Sequence, residues 1–284
     1  MRIKVFSSGS AGNCTILLFD KFNILVDCGI TKKEIEENLN EYFLSIRDID
    51  ALLITHEHID HIKSLPSFLK IEGLPIYMSK GTYNALIDYY MNHKKEAIAY
   101  TIQSLFNKGS LHIISKIEDS IFYEPFTIGN CKINTLPLFH DARETIGFSF
   151  NWDDKRFVYI TDTGYVHQEI YPLISNANAY ILESNHDPEI LMHSSRPYPL
   201  KIRILSDHGH LSNVDSMVTL AHIMGPNTKL VMHAHISQEC NLTQIVELTR
   251  KKVLDEYAIN TEGIEFVILA PRPSLEYSVW KYIL

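Results

Sequence analysis

Cysteine is scarce in this chain, and the four cysteines stand apart at positions 14, 28, 131 and 240. They form neither a CxxC pair nor the framework of a small disulfide-bonded scaffold, which predicts reduced thiols and a cytoplasmic protein. No apolar run approaches the roughly 20 residues that a membrane helix needs, so no membrane association is expected. The apolar part of residues 1–6 is too short for a secretory signal and is predicted to be the first strand.

Basic residues are also in the minority, because 34 acids oppose 26 lysines and arginines and leave a formal charge of −8. This balance argues against a broad basic surface that binds duplex nucleic acid, since dedicated DNA-binding domains are basic. A pocket for phosphate is still compatible with it, since bound metal ions can dominate the local field of a site. Neither a Pro/Gly/Ser-rich linker nor a tandem repeat interrupts the sequence, which predicts a single domain over residues 1–284.

Alternating apolar runs and helical patterns predict a mixed α/β chain. Behind Thr31, a suitable N-cap, the apolar residues of 32–44 recur at every fourth position and predict a helix. Further helices are predicted near 62–71, 81–91, 214–224 and 241–254. Strands are predicted near 3–6, 15–19, 24–26, 51–54, 131–138, 146–150, 157–161, 179–182, 229–232 and 265–269. Residues 84–115 lack clear patterning, and a divergent cap, an insertion or a homodimer contact is expected there.

The most informative stretch is Thr55-His56-Glu57-His58-Ile59-Asp60-His61, directly after the apolar run 51–54. Alternate residues of an extended segment point to the same side, so His56 and His58 can bind one ion. Asp60 and His61 follow where the chain must turn, and they could hold a second ion. Imidazole and carboxylate together favour zinc, manganese or iron over calcium or magnesium, so we expect two divalent ions, with zinc ahead of manganese. The stretch therefore predicts a two-metal hydrolase.

Other candidate ligands follow predicted strands, where a sheet would bring them to one edge. They are Asp27, His140, Asp162, His233 and His235. Asp27 would be surplus as a ligand, and we expect it to hydrogen-bond a ligand histidine and to fix its tautomer. His233 and His235 are two residues apart, so spacing alone does not decide between them.

A second group of residues could perform proton transfer. His210 could protonate the alkoxide that hydrolysis releases, or it could clamp a phosphate. Glu183 ends a predicted strand and could orient His210, as carboxylates orient imidazoles in acid–base pairs. His186 and Asp187 follow so closely that either could replace one of them, and a capping or core histidine is the alternative interpretation of His210.

Three basic side chains precede this histidine. They are Arg196, Lys201 and Arg203. Arginine favours bidentate contacts with phosphate, so the three could contact a substrate. A solvated charged helix face explains them equally well.

The ordered set of Asp27, the cluster 56–61, His140, Asp162 and His235 resembles the metallo-β-lactamase superfamily nearly end to end. Within that superfamily the chain is most similar to the bacterial YycJ/WalJ branch of predicted exonucleases. The stretches that carry this similarity are 7–14, 161–166, 182–187, 209–213 and 234–239. The resemblance implies a four-layer αββα sandwich with the metals at one rim.

The resemblance also implies which residues bind each ion. His56, His58 and His140 would hold one ion, Asp60, His61 and His235 would hold the other, and Asp162 would bridge them. The match at Ala234-His235-Ile236-Ser237 places the last ligand at His235, and the family supports the pairing of Glu183 with His210.

Our first hypothesis is a phosphodiester hydrolase whose nucleophile is a hydroxide held between two metal ions, with Asp60 at the catalytic centre and His210 as the acid. The YycJ/WalJ resemblance points to DNA that is trimmed from a 5′ end. A phosphodiesterase of small or cyclic nucleotides is the runner-up and suits the acidic surface better. A thioester or lactone hydrolase could use the same metal cradle. A metal-binding regulator without catalysis is the third alternative, and the intact ligand set argues against it.

Overall fold

The structure is a computed structural model that describes residues 1–269 and the backbone of residues 281–282. The described residues form two compact units. Unit 1 comprises residues 1–120, 142–145 and 281–282, and unit 2 comprises residues 121–141 and 146–269. Each unit contains one seven-stranded sheet. A single domain over 1–284 stays a prediction.

In chain order, the sheet of unit 1 begins with a hairpin formed by the two strands that were predicted near 3–6 and 15–19. Its strands are β1 (Arg2–Ser7), β2 (Cys14–Leu18), β3 (Asn23–Val26), β4 (Ala51–Leu53), β5 (Ile76–Met78), β6 (Leu111–Ile113) and the strand Lys281–Tyr282. The last of these lies beside β1, and the others follow in chain order. Neighbouring strands are antiparallel up to β3 and parallel from β3 to β6. The carboxyl ends of β3 and β4 therefore lie at the same edge of the sheet.

The helices of unit 1 depart from the predictions at two points. They are α1 (Lys32–Asn40), α2 (Ile59–Ile62), α3 (Leu65–Phe68), α4 (Lys80–Asn92) and α5 (Glu96–Asn107). Thr31 caps α1, as predicted, but the helix ends at Asn40, and Phe43 is fully exposed with a φ of 59°. The predicted helix 62–71 is broken, because Pro66 lacks a backbone N–H and is tolerated only in the first turn of a new helix, α3.

Residues 84–115 belong to the core of unit 1. They contain most of α4, all of α5 and strand β6, which pairs with β5. Ala99, Ile102 and Leu111 are buried in the same hydrophobic cluster as the residues of the central strands. The segment is thus built into the sheet and core of unit 1, and its divergence from relatives stays a prediction.

Unit 2 repeats the plan of unit 1, with antiparallel strands followed by parallel ones. Its strands are β7 (Phe126–Ile128), β8 (Cys131–Pro137), β9 (Ile146–Trp152), β10 (Lys155–Ile160), β11 (Ala179–Glu183), β12 (Leu230–Ala234) and β13 (Glu265–Ile268), in this order across the sheet. Strands β10 to β13 are parallel, and Glu183 pairs with Ala234. The register brings the carboxyl ends of β10, β11 and β12 to one edge.

Five helices complete unit 2. They are α6 (Tyr171–Ile174), α7 (Pro188–His193), α8 (Tyr198–Ile204), α9 (Asn213–Ile223) and α10 (Thr243–Glu256). The two longest, α9 and α10, match the predicted helices within about two residues at each end, an agreement normal for helix boundaries. Two sheets with associated helices confirm the mixed α/β class.

Two expectations from composition can be compared with the structure. In the part of the chain that is described, no helix is both long and apolar enough to cross a bilayer. All four cysteines are buried free thiols, and burial raises the pKa of Cys131 to about 12. The cysteines are therefore core residues here and form no disulfide framework.

Candidate metal centre

The predicted histidine cluster forms one compact loop in unit 1. The loop follows β4, His58 is the N-cap residue of α2, and Asp60 and His61 lie within α2. The ring centroid of His56 is 4.6 Å from that of His58 and 4.1 Å from that of His61. His61 Nε2 lies 3.7 Å from Asp60 Oδ2. All four predicted side chains of this loop are thus close together.

Asp27 supports the loop from the end of β3. Its backbone adopts a left-handed φ of 59°, a conformation that few residues other than glycine adopt. Asp27 Oδ2 accepts hydrogen bonds from His61 Nδ1 at 2.8 Å and from Thr55 Oγ1 at 2.9 Å, and Oδ1 accepts one from the Thr55 amide at 2.9 Å. Burial raises the pKa of Asp27, and the neighbouring His61 opposes this increase. The contacts orient His61 so that Nε2 is the nitrogen offered to an ion.

Asn13 is a residue of this loop environment that the ligand spacing did not reveal. Its Nδ2 lies 2.9 Å from His61 Nε2 and 3.4 Å from Asp60 Oδ2. Gly29 lies against the same segment, since a Cβ on this residue would be 1.6 Å from the Asp60 carbonyl oxygen. An ion at His61 Nε2 requires the Asn13 amide to turn away from that nitrogen. Asparagine is not a distinctive metal ligand, so only the family-like stretch 7–14 pointed to this position.

Unit 2 contributes a second group of potential ligands. Asp162, Glu183, His210 and His235 each offer one ligand atom, and these atoms all lie within 4.8 Å of one another. Asp162 and His235 follow the ends of β10 and β12, and both have left-handed backbones, with φ of 57° and 55°. Residues in such strained conformations cluster at functional sites.

Glu183, the last residue of β11, connects the two histidines of this group. Its Oε1 accepts hydrogen bonds from His210 Nδ1 at 2.7 Å and from His235 Nδ1 at 2.8 Å. Burial raises the pKa of Glu183, but the charges and hydrogen bonds of the two histidines outweigh burial and hold the pKa below its ordinary value. A charged Glu183 therefore fixes both rings with Nδ1 protonated. The other ring nitrogen of His235, Nε2, is then free of a proton and can bind an ion. It lies 3.3 Å from Asp162 Oδ1.

His140 follows β8 and is oriented by a backbone carbonyl. Its Nδ1 donates to the Gly209 oxygen at 2.9 Å, and its ring centroid lies 4.8 Å from that of His210. Glycine is required at 209, because a Cβ there would be 2.1 Å from the Ile204 carbonyl oxygen. Burial lowers the pKa of His140, which keeps the ring in the neutral form that binds metal.

The donor set of each unit fits a divalent ion that prefers nitrogen and oxygen ligands. In three of the histidines, Nδ1 donates a hydrogen bond to a carboxylate or carbonyl oxygen, which is the usual arrangement of metal-binding imidazoles. These are His61, His140 and His235. The remaining donors are carboxylate oxygens and further imidazoles, which suit zinc or manganese.

The structure separates His233 from His235, which spacing alone did not. His233 is fully buried in β12, with its ring stacked on Phe266 at a centroid distance of 6.1 Å. Within residues 1–269, neither of its ring nitrogens has a hydrogen-bond partner, and burial lowers its pKa to about 3. Because the backbone turns to a φ of 55° at His235, the two side chains do not share one face. His233 is thus a core histidine.

His186 is buried as well and is not among the four residues of the unit 2 group. Its ring nitrogens have no hydrogen-bond partner in the described residues, and burial lowers its pKa to about 4. His210, by contrast, is partly exposed and is bound to Glu183. This contact favours His210 over His186 as the acid, although both roles stay predictions.

The three basic residues near α8 are engaged within unit 2. Arg196 Nε lies 2.9 Å from Glu239 Oε2, and Arg203 Nη1 lies 2.9 Å from Asp141 Oδ2. Lys201 is buried and donates to two backbone carbonyls at 2.8 Å. These contacts make a structural role the simpler interpretation of all three.

A buried asparagine network holds the loops of the unit 2 group, and only the family-like stretches 182–187 and 209–213 pointed to two of its three members. Asn185 Nδ2 donates to the His235 carbonyl at 2.8 Å and lies 3.2 Å from His235 Nδ1. Asn241 Nδ2 donates to the carbonyls of Ser184 and Asn185 at 2.9 and 3.0 Å, and Asn213 Nδ2 donates to Asn241 Oδ1 at 2.9 Å. The network ties the end of β11 to the loop that carries His235.

This fold, with potential ligands at the carboxyl ends of its strands, defines the class of protein. A model of the beta-lactamase superfamily domain matches residues 22–234, and the chain belongs to this superfamily, in its metallo-β-lactamase form. The metallo-β-lactamase fold protein YhfI from Bacillus subtilis superposes with a TM-score of 0.64 at 17% identity, covering 95% of this chain and 96% of that one. That likeness shows the fold.

Two curated relatives are similar over nearly the whole chain. The exodeoxyribonuclease YycJ of Bacillus anthracis is 32% identical over 256 residues, which are 90% of each chain. The exodeoxyribonuclease WalJ of Streptococcus pneumoniae is 32% identical over 272 residues, which are 96% of this chain and 94% of that one. The predicted resemblance to the YycJ/WalJ branch is thus confirmed, and the chain is a metal-dependent hydrolase.

Proposed function

We propose that the protein is a nuclease that removes nucleotides from the 5′ end of DNA. The observation that carries the proposal is the group of Asp162, Glu183, His210 and His235, which combines potential metal ligands with an oriented imidazole. The similarity to two exodeoxyribonucleases over at least 90% of the chain supports DNA as the substrate.

The ligands that we propose for two divalent ions are those that the family resemblance implies. They are His56, His58, Asp60, His61, His140, Asp162 and His235. Bound ions would supply a water of lowered pKa as the nucleophile and would neutralise the charge of the phosphate. Zinc suits this mixture of imidazole and carboxylate, and manganese is the second choice.

His210 is the residue that we propose as the proton donor. Glu183 accepts a hydrogen bond from its Nδ1 at 2.7 Å and orients the ring. The Nε2–H of that ring can then pass its proton to the oxygen that leaves the phosphorus atom. Asp27 and Glu183 have a positioning role in this scheme, because they fix the tautomers of His61 and His235.

A panel of substrates tests the proposal. The metal-loaded protein is incubated with end-labelled single- and double-stranded DNA, RNA, cyclic mononucleotides and a chromogenic phosphodiester, with a His58→Ala preparation as the control. We expect DNA to be shortened stepwise from its 5′ end by the wild type only. Preferred turnover of cyclic mononucleotides would instead favour the small-nucleotide phosphodiesterase, which suits the net charge of −8 better. Turnover of thioesters or lactones without any diester cleavage would overturn the proposal.

A further inference from the structure

A cavity in unit 1 lies outside the metal loop and is lined by three cations. Its volume is about 690 Å³, within the range of ligand-binding pockets. Lys32 at the start of α1, Arg47 in the 3₁₀ turn Ile46–Asp48 and Lys70 after α3 face it together with one carboxylate, that of Glu72. Three separate elements thus bring an excess of positive charge to one place in a chain whose formal charge is −8.

The cations of this cavity are available to an anion. Throughout the described residues, the guanidinium of Arg47 and the ammonium of Lys70 have no ion-pair partner. Lys32 Nζ lies 3.2 Å from Glu36 Oε1, but both side chains are about half exposed, and such a pair contributes little. All three cations are exposed and can therefore be reached by an anionic ligand.

The rest of the lining suits a nucleotide better than a bare ion. Ile46 and Ile71 are partly buried side chains that pack against the core of unit 1, and they give the cavity an apolar surface. The hydroxyl of Ser67 adds a hydrogen-bonding group. Apolar surface beside cations suits a ligand that carries both phosphates and non-polar groups, as a nucleotide strand does.

The cavity is close to the metal loop along the chain. Lys32 is five residues beyond Asp27, and Ser67 is six residues beyond His61. Even a fully extended chain covers only about 20 Å in six residues. With a phosphate about every 3.4 Å along a stacked strand, that distance corresponds to about six nucleotides at most.

We propose that this cavity, defined by Lys32, Arg47 and Lys70, is a second contact site for the phosphates of a nucleic-acid strand whose end is being cleaved. The inference rests on the proposed nuclease function and extends it, since it makes affinity depend on strand length. It also explains how an acidic protein can hold a polyanion, because binding needs only a local cluster of cations.

The test compares a trinucleotide with a single strand of about 15 nucleotides, which exceeds the reach of about six nucleotides. The double variant Arg47→Ala/Lys70→Ala is compared with the wild type and with Lys251→Ala/Lys252→Ala, which removes the same charge from an exposed part of α10. We expect the KM for the long strand to rise about 10- to 100-fold in the cavity variant, as for the loss of two solvent-exposed contacts of ordinary hydrogen-bond strength. The kcat values, the kinetics on the trinucleotide and all values of the control variant should stay unchanged.

Binding of the labelled long strand is also measured by fluorescence anisotropy in the presence of a chelator, which separates the cavity from catalysis. The slope of log K against the logarithm of the salt concentration should be less steep by about 1.4 in the cavity variant if two single-strand phosphate contacts are lost. Equal affinities of the wild type and the cavity variant, or an equal loss in the control variant, would overturn the inference. Binding of a mononucleotide in the cavity, together with an affinity that does not depend on strand length, would also overturn it, in favour of a small-anion site. A wild type that binds through the cavity but cleaves no strand would refute the nuclease proposal alone.

Discussion

The two units present their potential ligands in different ways. In unit 1 the ligands occupy one loop, residues 56–61, after a single strand. In unit 2 they come from five places, at or after the ends of β8, β10, β11 and β12 and in the loop between α8 and α9. The loop of unit 1 is contiguous in sequence, whereas three members of the unit 2 group, Asp162, Glu183 and His235, meet because the parallel strands β10, β11 and β12 end in register. The unit 2 group is therefore the part of the candidate site that depends on the tertiary fold.

The units also differ in how they orient their histidines. Asp27 supports one ring of the unit 1 loop, that of His61, and shares its oxygens with Thr55. Glu183 supports two rings at once, those of His210 and His235. A single carboxylate in unit 2 thus connects a proposed metal ligand with the proposed acid, so damage there should affect both functions.

The strongest effect is expected at Asp162, the proposed bridge. Asp162→Asn keeps the size of the side chain but weakens its bonds to both ions. We expect turnover to fall by about 10⁴-fold or more, because each ion supplies several kcal/mol and about 1.4 kcal/mol is a factor of ten. Metal occupancy should fall as well, whereas Asp154→Asn, in an exposed turn, should change neither. Wild-type turnover and occupancy in Asp162→Asn would show that Asp162 is not the bridge.

The next effect separates chemistry from metal binding within unit 2. His210→Ala should keep both ions and lose about 10²- to 10⁴-fold in turnover of an ordinary diester, the usual contribution of a general acid. The loss should shrink on a nitrophenyl diester, whose leaving oxygen needs little protonation, and the exposed His208→Ala should behave as the wild type. Equal losses on both substrates would make His210 a binding or structural residue, and His186→Ala would then be measured in the same way.

Variants of the two supporting carboxylates, Asp27 in unit 1 and Glu183 in unit 2, compare the two units directly. Asp27→Asn and Glu183→Gln should each lower metal affinity or activity by about 10- to 100-fold, as is typical for outer partners of metal ligands. Glu183→Gln should have the larger effect on activity, and only this variant should alter the sensitivity to the leaving group, because Glu183 hydrogen-bonds His210 whereas Asp27 hydrogen-bonds His61. The same leaving-group dependence in both variants would contradict the separate roles of the two carboxylates.

The smallest effect is expected at His233. His233→Leu should retain both ions and full activity, since the ring lies in the core against Phe266. His235→Ala, two residues further on, should lose one ion. Elemental analysis of the two variants checks this, and loss of an ion from His233→Leu would show that the ligand assignment in β12 is wrong.

The sequence predicted those parts of the site that depend on local pattern. The cluster 56–61 was visible because four ligands stand within six residues, and the strands before Asp27, His140 and Asp162 were visible as apolar runs. Asn13, Asn185 and Asn241 were missed, because a buried asparagine has no periodicity and its partners are distant in sequence. The choice between His233 and His235 depended on a left-handed backbone that no spacing rule reveals.

The fold class was predicted correctly, but two of the predicted helices were too long, for similar reasons. Helix 62–71 was extended through Pro66, which starts a new helix, and helix 32–44 was extended to Phe43, whose backbone is left-handed and whose ring is exposed. The apolar spacing at Phe43 was fortuitous, since hydrophobic periodicity predicts a face only where the backbone stays helical.

The metal content of the purified protein tests the central claim most directly. Elemental analysis of wild-type protein prepared without chelators should find about two divalent ions per chain, the number that a paired site of this kind holds. His58→Ala should lose one of them, because it removes a ligand of one ion and leaves the other set intact. At most trace transition metal in the wild type, with no uptake when zinc or manganese is added, would contradict the account.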